Sequence, residues 1–168
     1  KTIIGKDFDV QNDDGSTHPT ELVLRNTASL EVIGDFRLSH AAGPRIYVSL
    51  NDTSVVDANG NIALSTSSPN TVEIDAKDTS SVRLARNFLR GTPKYGIVSF
   101  NAKSTLVLNG ESYLQSLASS AGDGGDSIRY QNIIVNNTKI TSPQVTLGGP
   151  VFVNGNLYLK DGILGTSS

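Results

Sequence analysis

Cysteine, methionine and tryptophan are absent from this chain of 168 residues, and neither sign of charge dominates it. Without cysteine, the chain can form no disulfide, no thiolate metal site and no cysteine nucleophile, so reducing and oxidising compartments suit it equally. The 14 basic and 16 acidic residues give a net charge of -2, with no Lys/Arg cluster. We therefore expect no nucleic acid partner and no binding to an anionic membrane surface.

Long apolar runs are missing as well. None approaches the roughly 18 residues that would cross a bilayer, so membrane insertion is not expected. The charged start from Lys1 to Lys6 lacks the apolar core of a signal peptide. Two interpretations of this start are equally open: a mature chain whose leader has been removed, and a trimmed chain.

What the sequence does contain is short stretches in which apolar and polar residues alternate. Examples are Leu30-Glu31-Val32, Val72-Glu73-Ile74 and Leu106-Val107-Leu108. This period of two predicts half-buried β-strands. Gly, Pro, Asn and β-branched residues interrupt almost every window in which a helix could form. The sequence therefore predicts an all-β protein.

A longer period lies over this alternation. The first apolar residues of similar segments are separated by 25, 27, 24 and 45 residues, the last being close to two periods; they are Leu30, Val55, Val82, Leu106 and Val151. A repeat of about 25 residues is typical of a stacked solenoid. We predict a right-handed parallel β-helix of about six coils over residues 21–168. Residues 1–20 are then an N-terminal extension, or a capping or assembly strand.

Antiparallel hairpins are the alternative to this architecture. Asn109-Gly110 and Asn154-Gly155 lie between alternating segments, and such pairs are a strong hairpin signal. Hairpins would build a β-sandwich or a jelly roll. In a solenoid, the same Asn residues would turn a corner in the αL conformation. We favour the solenoid because one repeat explains the similar spacing of several segments.

Three segments carry a resemblance to known proteins: Leu30 to Leu38, Leu106 to Leu114 and Val151 to Leu159. They resemble the rungs of bacterial autotransporter passengers and related β-helical adhesins, and they are also similar to those of phage tail spikes and fibres. The resemblance implies an extracellular, cell-surface or virion location and a scaffold or adhesive role. Through the tail spikes, it also implies an alternative, a module that binds or cleaves surface polysaccharide.

Residues that could carry chemistry form no convincing set. His18 and His40 have no partner at metal-ligand spacing, and no Gly-x-Ser-x-Gly elbow is present. Glycan cleavage needs two carboxylates facing each other, and nothing in the sequence singles out a pair. We therefore predict no catalytic residue and no enzyme, with a glycan hydrolase or lyase as the alternative.

Calcium is the one cofactor that the sequence suggests, through two acidic segments. The first contains Asp7, Asp9, Asp13 and Asp14 but misses the spacing of an EF-hand loop. The second, residues 119–126, resembles part of one Gly-Gly-x-Gly-x-Asp repeat. Since the repeat occurs once, we favour a loop there. The candidate ligands in the second segment are Asp123 and Asp126.

Apolar strand candidates lie towards both ends of the chain: Thr2, Ile3 and Ile4, and Val151, Phe152 and Val153. An unpaired strand edge is a place where another chain can add its own strand. We expect Thr2–Ile4 to lie outside the repeats with no partner there. The resulting hypothesis is a structural or adhesive subunit of an extracellular assembly or filament, joined to copies of itself by its terminal strands. A pilin-like sandwich that polymerises by strand exchange is a further alternative.

Overall fold

The computed structural model describes residues 1–12, 17–41, 43–91, 94–123 and 127–166. Within these ranges the chain is all β, has no helix, and winds through about six turns of a parallel β-solenoid. The named strands pair in parallel. The predicted solenoid of about six coils is thus confirmed, and the antiparallel sandwich or jelly roll is wrong. Right-handed winding stays a prediction.

The first face of the solenoid is one seven-stranded sheet that runs from end to end. It defines the axis along which the turns stack, because each strand belongs to a different turn. Its strands, in spatial order, are β1 (Thr2–Ile4), β4 (Ser29–Val32), β7 (Val55–Ala58), β10 (Ser81–Leu84), β13 (Thr105–Leu108), β16 (Asn132–Asn136) and β18 (Leu157–Asp161).

The second face is divided into two sheets. Four strands form the first of them: β2 (Phe8–Asn12), β5 (Phe36–His40), β8 (Ile62–Thr66) and β11 (Phe88–Arg90). Three strands form the second: β14 (Gln115–Leu117), β17 (Val145–Leu147) and β19 (Leu164–Thr166). The backbone N–H of Ser116 donates to Asn87 Oδ1 at 2.7 Å, so the second sheet follows the first along the axis.

The third face is a five-stranded sheet, and it ends earlier than the first face. Its strands are β3 (Thr20–Leu24), β6 (Ile46–Leu50), β9 (Val72–Ala76), β12 (Ile97–Phe100) and β15 (Ile128–Arg129). Beyond β15, one isolated parallel bridge joins Tyr130 to Val153. Residues 151–153 therefore occupy the third face of the sixth turn. The strands β18 and β19 begin a seventh turn, and no third-face strand follows them among the described residues.

The core is a set of inward-facing columns with one residue from each turn. On the first face the register aligns Leu30, Val56, Val82, Leu106, Ile133 and Leu157. Aromatic side chains stack in the same way elsewhere, with ring centroids 5.6 Å apart for Phe8 and Phe36 and 6.0 Å apart for Phe100 and Tyr130. Since a neighbouring turn covers each residue, the columns form one continuous core.

This register corrects two of the five positions used to find the repeat. Val55 is one residue early, since Val56 is the buried member of the column. A slip of one residue along a strand exchanges the inward and outward faces. Val151 belongs to the third face, and Ile133 and Leu157 are the missing members. Successive members of the true column are 26, 26, 24, 27 and 24 residues apart, by subtraction of these positions.

The corner between the third and first faces uses one residue with positive φ in each of four turns. These are Asn26, Asp52, Asp78 and Ala102, with φ of 58, 60, 54 and 55°. Asn and Asp tolerate this αL conformation better than other residues with a side chain. The carboxylates also stack, because Asp52 Oδ2 accepts the N–H of Asn26 at 2.8 Å and Asp78 Oδ2 accepts that of Asp52 at 3.1 Å. Asn109 and Asn154, expected in this conformation, do not adopt it.

The corner between the first and second faces contains a second stack, which we call the Asx ladder. Its members are Asp7, Asp35, Asn61 and Asn87. Each side-chain oxygen accepts the backbone N–H of the next member, at 2.8, 2.7 and 3.1 Å in turn. A hydrogen bond of this kind satisfies a corner N–H that no strand pairs.

The last turns lack this ladder and contain a buried network in its place, which we call the amide hub. Gln115, Asn137 and Gln144 form it. Asn137 Nδ2 lies 2.9 Å from Gln115 Oε1 and 3.2 Å from the carbonyl oxygen of Gln144. Gln115 Nε2 donates to the carbonyl oxygens of Leu84 and Arg86 at 2.7 and 2.8 Å. Asn137 and Gln115 are fully buried, so these bonds replace the solvation that both amides have lost.

Candidate functional site: the two ends of the solenoid

The N-terminal end of the first face is the strand β1. It pairs with β4 on one side, with Thr2, Ile3 and Ile4 opposite Leu30, Glu31 and Val32. The expectation that Thr2–Ile4 has no partner within the repeats is therefore wrong. The strand fits there because Ile4 adds one more apolar residue to the core. The role of residues 1–20 as a capping or assembly segment stays a prediction.

The other edge of β1 has no partner among the described residues. The carbonyl oxygen of Ile4 accepts the N–H of Ile33 at 3.0 Å, so the backbone of Ile4 faces β4. In a parallel ladder, successive residues direct their backbone groups to opposite neighbours. The N–H and C=O of Ile3 therefore face the open edge. The Ile3 side chain is 57% exposed on the outer surface.

Core side chains are partly uncovered at this end. Ile4, Phe8 and Leu22 are only half-buried, although they lie in columns that are fully buried further along. With Leu24 and Leu30 they line an apolar cavity of about 270 Å³. The end thus presents both an unpaired strand edge and an apolar cross-section.

The C-terminal end has the same two features. Leu157, Tyr158 and Leu159 of β18 are 44, 53 and 56% exposed. Leu157 and Leu159 continue inward columns, opposite Ile133 and Val135, while Tyr158 continues an outward column opposite Ile134. The strand pairs with β16 on one side, and its other edge has no partner among the described residues.

The second group of assembly residues predicted from the sequence lies one turn below β18 and on a different face. Val151 and Val153 are half-buried and pack against the core. Phe152 lies between them and is 70% exposed, and its backbone N–H donates to Ser120 Oγ at 2.9 Å. Residues 151–153 are therefore near the C-terminal end, but the outermost strands described there are β18 on the first face and β19 on the second. The sequence did not identify β18 as an edge.

The acidic residues near the N-terminus serve the fold. Arg37 lies among Asp7, Asp9 and Asp35, with nitrogen–oxygen distances of 2.7, 3.6 and 3.0 Å. The backbone N–H of Asp35 lowers the pKa of the Asp7 carboxyl; burial opposes this, and Arg37 adds to the lowering. Bonding to Asp7 raises the pKa of Arg37. The guanidinium therefore neutralises part of the negative charge of these three carboxylates.

The other candidate calcium ligands do not gather into a site within the described part of the chain. Asp123 Oδ2 accepts the backbone N–H of Lys94 at 2.6 Å. Asp13, Asp14 and Asp126 lie outside the described residues. Within the described ranges, no group of three or more His, Asp or Glu side chains is placed to hold a metal ion. Calcium binding stays a hypothesis from the sequence.

A cleft on the side of the solenoid was not foreseen from the sequence. It lies where the corner at residues 109–114 overhangs the preceding turns. Arg86 stacks on the ring of Tyr113, with its guanidinium carbon 4.0 Å from the ring centroid, and Arg86 Nη2 donates to the Tyr113 hydroxyl at 2.7 Å. Asn59, Asn109 and Glu111 also line this cleft of about 350 Å³. Asn109 Oδ1 is buried there with no hydrogen-bond partner in the described structure.

No protein-family model matches this chain, and no curated protein or solved structure shows a significant match to it. The described residues contain no helix that is long and apolar enough to cross a membrane. The fold and the geometry of the ends are therefore the basis for any functional argument. They define a β-solenoid whose ends present strand edges and uncovered core.

Proposed function

We propose that this protein is a structural or adhesive subunit that joins copies of itself through its terminal strands. The observation that supports this most strongly is the presence of an unpaired strand edge with exposed apolar side chains at each end. Solenoids that stay monomeric in solution need polar caps over their terminal repeats. Here Leu157 and Leu159 lie at one end and Ile4 and Phe8 at the other, in the positions that a cap would cover.

The setting that we propose is an extracellular assembly or filament, on a cell surface or a virion. It is supported by the resemblance to autotransporter passengers, β-helical adhesins and phage tail spikes, together with the solenoid fold. Salt bridges lie along the sides of the solenoid: Arg45 contacts Glu73 at 3.2 Å and Lys77 contacts Asp75 at 2.8 Å. At the C-terminal end, by contrast, the inward columns are exposed at Leu157 and Leu159.

Polysaccharide binding is a second candidate function, favoured by the cleft at residues 109–114. An aromatic ring, a carboxylate and amide groups are the kinds of side chain that bind sugars, and all three occur there in Tyr113, Glu111 and Asn59. Tyr113→Ala should abolish retention on an immobilised bacterial polysaccharide. Leu89→Ala, which truncates an exposed side chain outside this cleft and away from both ends, is the control. Equal retention of both variants and the parent chain would exclude this cleft.

The test of self-association uses Ile3→Pro. Proline removes the backbone N–H that Ile3 directs to the open edge, while the bonds from β1 to β4 use its neighbours. We expect light scattering to show a mass that rises with concentration for the parent chain and the mass of one chain for Ile3→Pro. Ile3→Val, which keeps the N–H, should behave like the parent.

Deletion of Lys1 to Lys6 should have the same effect on association and leave the β-type circular dichroism spectrum in place. If the deletion unfolds the chain, β1 is an intramolecular cap. If the parent chain keeps the mass of one chain at all concentrations, the proposed function is wrong.

A further inference from the structure

The first face relates the two ends of the molecule to each other. Its columns continue through all seven strands. Residues of β1 and β18 that belong to the same column would therefore lie opposite each other if the sheet continued from one copy into the next. In the inward columns, Leu157 corresponds to Thr2, and Leu159 to Ile4. In the outward column between them, Tyr158 corresponds to Ile3.

Two of the three corresponding pairs match in character, while the third places Thr2 in the column of Leu157. Leu159 and Ile4 are both apolar and both face inward, and Tyr158 and Ile3 are both apolar and exposed on the outside. Aromatic and β-branched residues on neighbouring strands stabilise a sheet.

Strand direction selects the kind of partner. All strands of the first face are parallel, so a strand that continues the parallel ladder at β18 runs in the same direction. The β1 strand of a second copy meets this condition when that copy is stacked without inversion. A two-fold contact between identical ends would instead pair two copies of β1 in antiparallel orientation.

We infer that copies of this protein associate head to tail, with β1 of one copy adding to β18 of the next in the register Thr2 to Leu157, Ile3 to Tyr158 and Ile4 to Leu159. This inference rests on the proposed function and specifies its partner, polarity and register. Copies stacked along the solenoid axis leave a free β1 at one end of the assembly and a free β18 at the other, so the contacts do not close into a ring and produce an open filament.

The dimensions of this filament follow from the fold. Each copy contributes seven strands to the first face. With a strand spacing of about 4.8 Å, the axial repeat is about 34 Å. The third face contributes least to the contact, because it ends one turn lower, at residues 151–153. Phe152→Ser should therefore change association much less than Ile3→Pro.

Crosslinking of introduced cysteines tests the register, since the parent chain has none. Ile3→Cys and Tyr158→Cys chains are mixed and treated with a short thiol-specific crosslinker. We expect crosslinked dimers from the mixture, and a series of larger multimers from the double variant. Leu89→Cys, exposed on the second face in the middle of the solenoid, replaces Ile3→Cys in the control and should give no product with Tyr158→Cys.

The outcomes separate this inference from the proposed function. If Ile3→Cys crosslinks to itself and not to Tyr158→Cys, the ends meet by two-fold contacts and the head-to-tail inference is wrong. The same holds if light scattering detects multimers of the parent chain but no crosslink forms between positions 3 and 158. In both cases, self-association survives. If the parent chain does not associate at all, both the inference and the proposed function fail.

Discussion

The first four turns and the later turns of this solenoid differ in how they provide hydrogen-bond partners for the backbone groups at the corner between the first and second faces. In the first four turns, the corner between the first and second faces has three residues each time, at 5–7, 33–35, 59–61 and 85–87. In the fifth and sixth turns it has six, at 109–114, and eight, at 137–144, and at the start of the seventh turn it has two, at 162–163. The Asx ladder occupies the short corners, and the amide hub lies beneath the long ones.

The difference shows what a regular side-chain ladder requires. When successive corners have the same length, the side chain of one turn lies directly over the N–H of the next and can accept it. When the length changes, this alignment is lost, and the corner N–H and C=O groups need partners of another kind. Gln115 and Asn137 provide these partners from within the core. In the regular turns, each ladder side chain thus satisfies one corner N–H group. In the irregular turns, two buried amides satisfy several backbone groups each.

The largest expected loss of stability comes from substitutions in the hydrophobic core, which runs through both the regular and the irregular turns. Leu106→Ala should lower the free energy of unfolding by about 2–5 kcal/mol, since it leaves a cavity in a fully buried column. Val151→Ala should cost less, because Val151 is half-buried at the irregular end. Urea unfolding followed by circular dichroism measures both, with Lys103→Ala as a nearly neutral control. Equal effects for Leu106 and Val151 would contradict the assigned columns.

We expect substitution of an asparagine in the amide hub to lower the free energy of unfolding more than substitution of an asparagine in the Asx ladder. Asn137→Ala should cost about 3 kcal/mol, because it leaves several buried hydrogen-bonding groups without their partner. Asn61→Ala should cost about 1 kcal/mol, since Asn61 is half-buried and water can reach the freed N–H of Asn87. The same unfolding experiment distinguishes them. A larger loss for Asn61 would reverse the proposed contrast.

A polar residue at the fourth position of the αL corner should raise the free energy of unfolding, by less than the preceding substitutions lower it. Ala102 is the one member of that column without a polar side chain, and its φ of 55° is unfavourable for alanine. Ala102→Asn should raise the free energy of unfolding by about 0.5–1 kcal/mol, because asparagine tolerates this conformation and can accept the N–H of Asp78. The neighbouring exposed substitution Lys103→Asn is the control. Destabilisation by Ala102→Asn would show that the corner is not a repeated unit.

The smallest expected effect is the part of the pH dependence of stability that Asp7 of the ladder contributes. Because the Asp7 pKa is lower in the folded chain than in the unfolded chain, its carboxylate stabilises the fold at neutral pH. That contribution is lost as the pH falls below about 4 and through the folded-state pKa. Asp7→Asn should reduce the loss of stability between pH 6 and pH 3 in urea titrations, while Asn137→Ala should leave the loss unchanged. An unchanged pH dependence in Asp7→Asn would contradict this role.

The regular turns are also where sequence reasoning succeeded. Leu30, Val82 and Leu106 were aligned correctly, because their turns are of similar length and their strands alternate cleanly. The αL corner was missed, although an Asx-Thr pair recurs at 26-residue intervals in Asn26-Thr27, Asp52-Thr53 and Asp78-Thr79. That recurrence was the available signal.

The irregular turns explain why the column members of the last turns and the edge strand β18 were not identified from the sequence. In the run Ile133-Ile134-Val135, the outward residue Ile134 is apolar like its inward neighbours, so the strand shows no alternation in the sequence. The long corners also change the number of residues between equivalent positions of successive turns. The true edge strand, β18, was mistaken for the continuation of the segment that begins at Val151. The side cleft could not be foreseen, because it depends on how the corner at 109–114 folds back over Arg86 and Asn59.

Electron microscopy of the concentrated parent chain shows directly whether copies stack head to tail. We expect unbranched filaments whose averaged images show a strand spacing of about 4.8 Å and an axial repeat of about 34 Å, from the seven first-face strands among the described residues of each copy. Filaments should be absent from a matched sample of Ile3→Pro. Single particles of one-chain size at every concentration, or filaments with a repeat near twice that length, as inverted pairs would give, would contradict head-to-tail stacking.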